Sequence, residues 1–185
     1  MAIPEGTFEQ KWQDLRERGD PAALAFFFHQ LYDELYFYCL KLSEEPSLAK
    51  DALQNTFFDI WAYRLSLSPV SSPRLYFFRA VRNHCIKLLQ KNNPRLDLES
   101  VAEQMTFQPE ELEFDNAPDP VKIQLTQALN ELSPRQREII YLKFYDNLEY
   151  REIAEVLQIN YQSVVNHAHK AMIRLRQCDG VINFF

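Results

Sequence analysis

The most informative segment of the chain is residues 148–177, LEYREIAEVLQINYQSVVNHAHKAMIRLRQ. It reads as two amphipathic helices separated by a short turn, Gln158–Asn160, in which Asn160 can cap the second helix. Apolar residues at helical spacing give each helix an inward face: Ile153, Ala154 and Leu157 in the first, and Val164, Ala168, Ala171 and Leu175 in the second. The pattern is typical of a helix-turn-helix, whose second helix enters the major groove of DNA. The alternative is a pair of helices that only pack together.

The second of these helices leaves a polar outer face. Its members are Tyr161, Gln162, Ser163, Asn166, His167, His169 and Lys170. Amide side chains can pair with base edges and a lysine can neutralise a phosphate, so this face is a candidate for reading duplex DNA. His167 and His169 are two residues apart and do not face each other on a helix, so they do not predict a metal site.

The rest of the chain follows the same helical periodicity. Only three of its 185 residues are glycine, and no Asn-Gly or Asp-Gly pair marks a β-hairpin. Two helix starts stand out, Ser72-Pro73 and Ser133-Pro134, because serine caps a helix and proline suits its first position. The sequence therefore predicts an all-α fold.

The acidic charge is confined to one segment. The chain has 20 Lys and Arg against 26 Asp and Glu, a formal net charge of −6. Residues 1–95 hold 12 bases and 11 acids, and residues 121–185 hold 8 and 7. Residues 96–120 hold eight acids, no Lys or Arg and three prolines. We therefore expect two small helical domains, 1–95 and 121–185, joined by an acidic, flexible linker at 96–120.

The helix that follows Ser72-Pro73 lies in a stretch without acids. Between Ile60 and Leu96 there are seven bases and no Asp or Glu. Five polar residues of this helix fall within an arc of about 140°: Arg79, Arg82, Asn83, Lys87 and Gln90. Such a face can bind phosphates and base edges, and the loop before it could receive an unstacked base. The alternative is a solvated helix face.

The preceding helix has two contrasting faces. An apolar stripe from Leu48 to Trp61 predicts core packing. The opposite face carries Asp51, Gln54, Asn55, Phe58 and Asp59, and an aromatic ring among polar residues suggests a surface for a protein partner. A single exposed phenylalanine without a partner is the alternative.

Several classes of function are not indicated. The first twenty residues lack the layout of a signal peptide, and no apolar run reaches the roughly 20 residues that span a bilayer. The cysteines, Cys39, Cys85 and Cys178, are widely spaced and predict neither disulfides nor a zinc site. No hydrolase, nucleotide-binding or metalloprotease motif occurs. We therefore expect a cytoplasmic protein without membrane insertion that is not an enzyme and needs no cofactor or metal.

Three segments in this order carry a resemblance to a known family: SLAKDALQNTFFDIW (47–61), YFFRAVRNHCIKLLQKN (76–92) and the stretch from Leu125 to Arg176. They resemble bacterial RNA polymerase sigma factors of the extracytoplasmic-function (ECF) group. The resemblance implies that residues 1–95 are region two and residues 121–185 region four. It also implies a function in binding core RNA polymerase, recognising promoters and opening their strands for transcription initiation.

The resemblance also implies roles for the residues singled out. Core polymerase, through the clamp helices of its largest subunit, would meet Asp51, Gln54, Asn55 and Phe58. Minus-ten DNA would meet the loop 64–73 and Arg74, Arg79, Arg82, Asn83 and Lys87. Minus-35 DNA would meet Gln162, Ser163, Asn166, His167, His169 and Lys170. The flap region of the polymerase and an anti-sigma factor are further partners that the resemblance allows.

The chain departs from the family pattern at several positions. Lys87 stands where an Asp is usual, Gln158 where a Gly is usual, and Val165 where a Lys or Arg is common. Glu149 replaces the usual Ser or Thr cap. Two alternatives therefore stay open: a helix-turn-helix regulator that binds duplex DNA without polymerase, and an adaptor that binds polymerase without opening DNA. The apolar tail, Val181–Phe185, has no assigned role.

Overall fold

The computed structural model describes residues 6–111 and 119–177. The apolar tail Val181–Phe185 and Cys178 lie outside these residues. The described chain is helical and contains no strand, which confirms the predicted all-α fold. It forms two compact units, Met1–Arg95 and Leu96–Phe185.

The described part of the first unit, residues 6–95, contains four α-helices. They are α1 (Thr7–Gln13), which continues into a π-helical turn (Asp14–Arg18), α2 (Pro21–Ser43), α3 (Pro46–Ala62) and α4 (Pro73–Asn92). A 3-10 turn, Arg64–Ser66, lies in the loop between α3 and α4. Asp20 caps α2 by accepting a hydrogen bond from the Ala22 amide at 2.9 Å, and Ser72 caps α4 as predicted.

An aromatic cluster forms the core of the first unit. The ring of Phe77 on α4 lies 4.9 Å from Phe27 on α2 and 5.2 Å from Phe57 on α3, and Trp12 on α1 packs on Phe27 at 6.1 Å. Each ring is at most 8% exposed. All four helices therefore meet at one cluster, which buries a large apolar area and fixes the face that each helix turns outward. The same interior buries Cys39 and Cys85, and the hydrogen bond between their side chains raises the pKa of the Cys39 thiol.

Four α-helices also lie in the second unit over residues 96–111 and 119–177: α5 (Asp119–Asn130), α6 (Pro134–Phe144), α7 (Tyr150–Leu157) and α8 (Tyr161–Leu175). The predicted start of α6 is present as a reciprocal capping box between Ser133 and Gln136. Asn160 caps α8, as predicted, by accepting a hydrogen bond from the Ser163 amide at 2.7 Å.

The acidic segment differs in part from the predicted linker. Of residues 96–120, the first part to Glu111 is described and packs within the second unit, with Val101, Met105 and Phe107 each at most 2% exposed. The Asn130 side chain pairs with both backbone groups of Phe107, at 2.8 and 3.0 Å. The apolar residues interspersed among the acids explain this difference, because they can be buried while the carboxylates stay in water.

Two arginines of α6 form hydrogen bonds to the backbone of this segment. Arg137 donates to the carbonyls of Met105 and Glu103, the latter at 3.0 Å, and Arg135 donates to the carbonyl of Leu98 at 2.9 Å. Both arginines are only 8% exposed. These guanidinium groups therefore satisfy backbone carbonyls of the acidic segment, and they are not part of the basic surface.

We predict that Arg137→Ala loosens the acidic segment. Loss of charged hydrogen bonds to two loop carbonyls should lower the free energy of unfolding of the second unit by about 3 kcal/mol. Hydrogen exchange at residues 101–107 should speed up at the same time. Arg174→Ala is the matched control, because Arg174 forms an exposed pair with Glu131 at 3.0 Å whose loss should cost less than about 1 kcal/mol. Equal destabilisation by both variants would contradict the anchoring role of Arg137.

Candidate nucleic-acid interface

The helix-turn-helix predicted from the sequence is formed by α7 and α8. Its turn places Gln158 in the left-handed conformation at φ 56°, the position where glycine has the lowest cost. The amide of Glu149 at the start of α7 donates to the Glu152 carboxylate at 2.7 Å. This bond is the reciprocal half of a capping box, in which Glu149 occupies the N-cap position where a serine or threonine is usual.

The outer face of α8 is exposed over two turns. Gln162, Asn166, His169 and Lys170 are exposed, and Ser163 is half-buried. The Gln162 amide donates to the Asn166 side chain at 3.0 Å, so the two amides form one hydrogen-bonding surface. This surface can offer donors and acceptors to base edges, with Lys170 beside it for a phosphate.

His167 lies on the flank of this face. Its side chain is half-buried, and burial together with the nearby Arg135 and Lys170 lowers the pKa of His167. A neutral imidazole at neutral pH is a weaker phosphate ligand than a lysine. Helical spacing places His167 at the edge of the exposed face of α8. The spacing alone therefore predicts an exposed side chain, whereas the structure shows a half-buried one.

Ile173 extends the exposed face and was not singled out by sequence reasoning. It is 48% exposed and lies seven residues, or two helical turns, beyond Asn166. The spacing from Asn166 and Lys170 is the signal that would have found it. An exposed isoleucine on this face can contact the methyl group of a thymine or a protein partner.

The basic face of α4 is smaller than predicted. Lys87 is exposed, and Arg79 and Asn83 are half-buried with Arg79 stacked over the ring of Tyr76 at 5.6 Å. These three residues lie on one side of α4 at a spacing of four. Gln90, also half-buried, continues this side toward the end of the helix.

Arg82 and Arg74 do not belong to this exposed surface. Arg82 is only 3% exposed, because it shares the side of α4 that carries the buried Leu75 and Ile86. Arg74 pairs with Glu34 of α2 and lies 5.1 Å above the Phe78 ring. The resemblance implies that both arginines contact minus-ten DNA, but here Arg74 forms an ion pair and Arg82 is buried. Arg82 is buried because an arc of about 140° extends to the rim of the buried face.

His84 links α4 to α3. Its Nε2 lies 3.3 Å from an Asp59 carboxylate oxygen. Burial lowers the pKa of His84, and Lys87 lowers it further, while Asp59 opposes both. The neutral imidazole of His84 therefore links α4 to α3. It lies between the exposed face of α3 and the exposed face of α4.

The outer face of α3 exposes the residues that the sequence predicts to lie there. Asp51, Gln54, Asn55 and Phe58 are all exposed, and Phe58 is 68% exposed. A groove of about 520 Å³ runs beside Phe58 between α3 and α2. Its lining includes Leu24, Phe28, Tyr32, Lys50, Leu53, Gln54, Phe57 and Trp61. A large exposed aromatic side chain next to an apolar groove is typical of a protein-binding surface.

Residues 6–111 and 119–177 contain no cluster of three or more His, Cys, Asp or Glu side chains that could hold a metal ion. In the described part of the chain, no helix is both long enough and apolar enough to span a membrane.

Comparison with known proteins places these surfaces in a family. Residues 122–175, which include α6 to α8, match the model of sigma-70, region 4. Over 171 residues the chain is 28% identical to the ECF RNA polymerase sigma factor SigL of Mycobacterium tuberculosis, covering 87% of this chain and 93% of SigL. It is 22% identical over 165 residues to ECF sigma factor SigK of Mycolicibacterium vanbaalenii, covering 88% of this chain and 84% of SigK.

Solved structures show the same fold. CnrH, solved in complex with the cytosolic domain of CnrY, superposes with a TM-score of 0.63 at 17% identity, covering 92% of this chain and 96% of CnrH. The sigma factor RpoE of Bartonella quintana, solved with the anti-sigma factor NepR, gives 0.58 at 20% identity, covering 82% and 92%. The chain is therefore a sigma factor of the ECF group, a protein that directs transcription initiation together with core RNA polymerase.

Proposed function

We propose that this sigma factor uses three separate surfaces, one for polymerase and two for promoter DNA. The observation that carries the proposal is the exposure of three unlike helix faces: a polar face with a single aromatic on α3, a basic face on α4 and an amide-rich face on α8. Each face has the chemistry of a different partner. We further propose that the protein is not itself an enzyme, acts in the cytoplasm and leaves RNA synthesis to the polymerase.

The α3 face is proposed to bind the clamp helices of the largest polymerase subunit. Phe58 is the anchor, because a ring that is 68% exposed gains most from burial against a partner. Asp51, Gln54 and Asn55 surround it and supply hydrogen bonds at the rim. The flap region of the polymerase is proposed to meet the second unit.

The α4 face and the loop before it are proposed to open and read the minus-ten element. Arg79 and Lys87 supply positive charge for phosphates, and Asn83 lies between them on the same side of the helix. Arg74 and Arg82 drop out of this set, because the first pairs with Glu34 and the second is buried. The loop carries exposed Tyr63 and Leu65, which could stack on or cover an extruded base.

The α8 face is proposed to read the minus-35 element in the major groove. Gln162, Asn166 and His169 are placed to meet base edges, and Lys170 is placed to meet a phosphate. Ser163 accompanies them near the N-terminus of α8, and His167 lies at the edge of the contact. Both the SigL and SigK relatives named above are called ECF sigma factors, which supports this assignment.

An anti-sigma factor is proposed as a regulatory partner. The similar sigma factor RpoE was solved with the anti-sigma factor NepR. The groove between α2 and α3 offers such a partner an apolar surface beside Phe58. A partner bound there would compete with polymerase for the same ring.

We predict that Phe58→Ala weakens binding to core polymerase by about thirtyfold, the effect of losing an aromatic anchor from an interface. The fold should survive, because Phe58 is outside the core. Fluorescence anisotropy with labelled sigma factor and core enzyme measures the change. Gln13→Ala, an exposed residue of α1, is the control and should bind normally. Unchanged binding by Phe58→Ala would show that polymerase uses another face.

We predict that Arg79→Ala and Asn83→Ala slow the opening of a duplex promoter at least tenfold, the value of a lost charged or base-edge contact. Binding to the same promoter with a pre-melted bubble should fall much less. Permanganate reactivity of unpaired thymines measures opening. Arg18→Ala also removes one positive charge, from a side chain that is 76% exposed, and should leave opening unchanged. Equal losses on duplex and bubble templates would contradict a melting role.

We predict different outcomes for two neighbours on α8. Asn166→Ala should relax the preference at one minus-35 base pair, at a cost of about 1–3 kcal/mol for the preferred base. Lys170→Ala should weaken all sequences alike and reduce the slope of log affinity against log salt by about one. Holoenzyme binding to a set of single base-pair variants measures both. If Asn166→Ala lowers affinity uniformly, then Asn166 does not read a base.

A further inference from the structure

The N-terminal segment of the first unit contacts the loop that is proposed to read the minus-ten element. We name residues 7–18, which form α1 and the π-helical turn, the brace. Arg16 Nε of the brace donates to the carbonyl of Leu67 at 2.7 Å, and Trp12 Nε1 donates to the carbonyl of Ser68 at 3.2 Å. Two consecutive carbonyls of an irregular loop thus find donors more than fifty residues away in sequence.

A third contact joins Gly19, the residue that follows the brace, to the start of the loop. Gly19 has φ 63°, and a Cβ at this position would lie 3.1 Å from Arg64 Nε. The Arg64 guanidinium packs over the Trp61 ring at 3.9 Å and donates to the Trp61 carbonyl at 2.7 Å. Glycine therefore permits a close approach that fixes the first residue of the loop against the end of α3.

The brace is itself held by the core. Trp12 is 3% exposed, and its ring packs on Tyr76 at 4.9 Å and on Phe77 at 6.2 Å, both on α4. The donor to Ser68 is therefore attached to a ring that cannot move without disturbing the packing of α4. Arg16 lies four residues further along, one helical turn away on the same side.

The loop turns its backbone inward and its large side chains outward. Its carbonyls at Leu67 and Ser68 face the brace, whereas Tyr63 and Leu65 at its start are 64% and 67% exposed. A loop that is already ordered does not lose conformational freedom when it meets a base, which strengthens binding and sharpens selection.

We infer that Arg16 and Trp12 are positioning residues for promoter reading. They fix the loop 64–73 before DNA arrives, so that an extruded minus-ten base meets a formed surface. This inference rests on the proposed role of the loop in reading that base. Neither residue touches DNA in this account; both act through the loop backbone.

The test uses holoenzyme and a fluorescent single-stranded oligonucleotide that carries the minus-ten sequence of a promoter mapped with this sigma factor. Arg16→Ala should weaken binding of the oligonucleotide about tenfold, the effect of losing one charged hydrogen bond. It should also flatten the preference among four oligonucleotides that differ at the extruded base. Arg16→Lys retains a donor and should restore most of both properties. Trp12→Phe removes the donor to Ser68 but retains an aromatic ring, and should act in the same direction.

Arg18→Ala on the same turn is the matched control, because it loses the same charge from a side chain that is 76% exposed. Core binding should be equal for all variants, which separates positioning from loss of the fold. Normal affinity and normal base preference in Arg16→Ala would overturn the inference. Leu65→Ala tells the two proposals apart: if it weakens binding while Arg16→Ala does not, the brace is not a positioning element, and if neither has an effect, the loop does not read the base.

Discussion

The packing of Trp12, Phe27, Phe57 and Phe77 is the interaction on which the first unit depends. Each of the four α-helices contributes one ring, so the cluster sets the rotation of every helix about its own axis. Phe58 lies about 100° around α3 from the buried Phe57 and faces outward, and Arg79 and Asn83 lie about 200° and 240° around α4 from the buried Phe77 and turn toward the surface. The α3 face proposed for polymerase and the α4 face proposed for minus-ten DNA are therefore set by one core. The indole of Trp12 extends the same constraint to the loop proposed to read the minus-ten element, through its hydrogen bond to the Ser68 carbonyl.

The distribution of charge along this chain is more informative than its net charge. The net charge of −6 argues against nucleic-acid binding, yet the stretch Ile60–Leu96 has no acid and the excess of acids lies in residues 96–120. The structure refines this distribution, because four arginines are buried or bonded within the protein. Arg74 pairs with Glu34 and Arg82 is buried, while Arg135 and Arg137 donate to carbonyls of the acidic segment. The basic surface left for DNA is small, so core polymerase is expected to supply much of the binding free energy at a promoter.

Local features of the fold could be predicted from the sequence, and long-range ones could not. The caps at Ser133 and Asn160 and the inward face of α8 follow from neighbouring residues, and the structure shows them. The exposed state of Phe58 also follows from helical spacing. Arg82 could not be placed, because the edge of a buried helix face depends on what packs against it. The order of residues 96–111 and the bonds from the brace depend on partners 23 to 56 residues away, which periodicity does not encode.

We propose that one chain brings polymerase to promoters and opens them through surfaces fixed by its helical packing. The most direct measurement is to combine the purified protein with core RNA polymerase and a genomic DNA library and to map the 5′ ends of the transcripts. The account predicts new start sites that share sequence elements near minus ten and minus 35 and that disappear when the sigma factor is omitted. A set of transcripts identical to that of core polymerase alone would contradict it, even if the protein binds duplex DNA by itself.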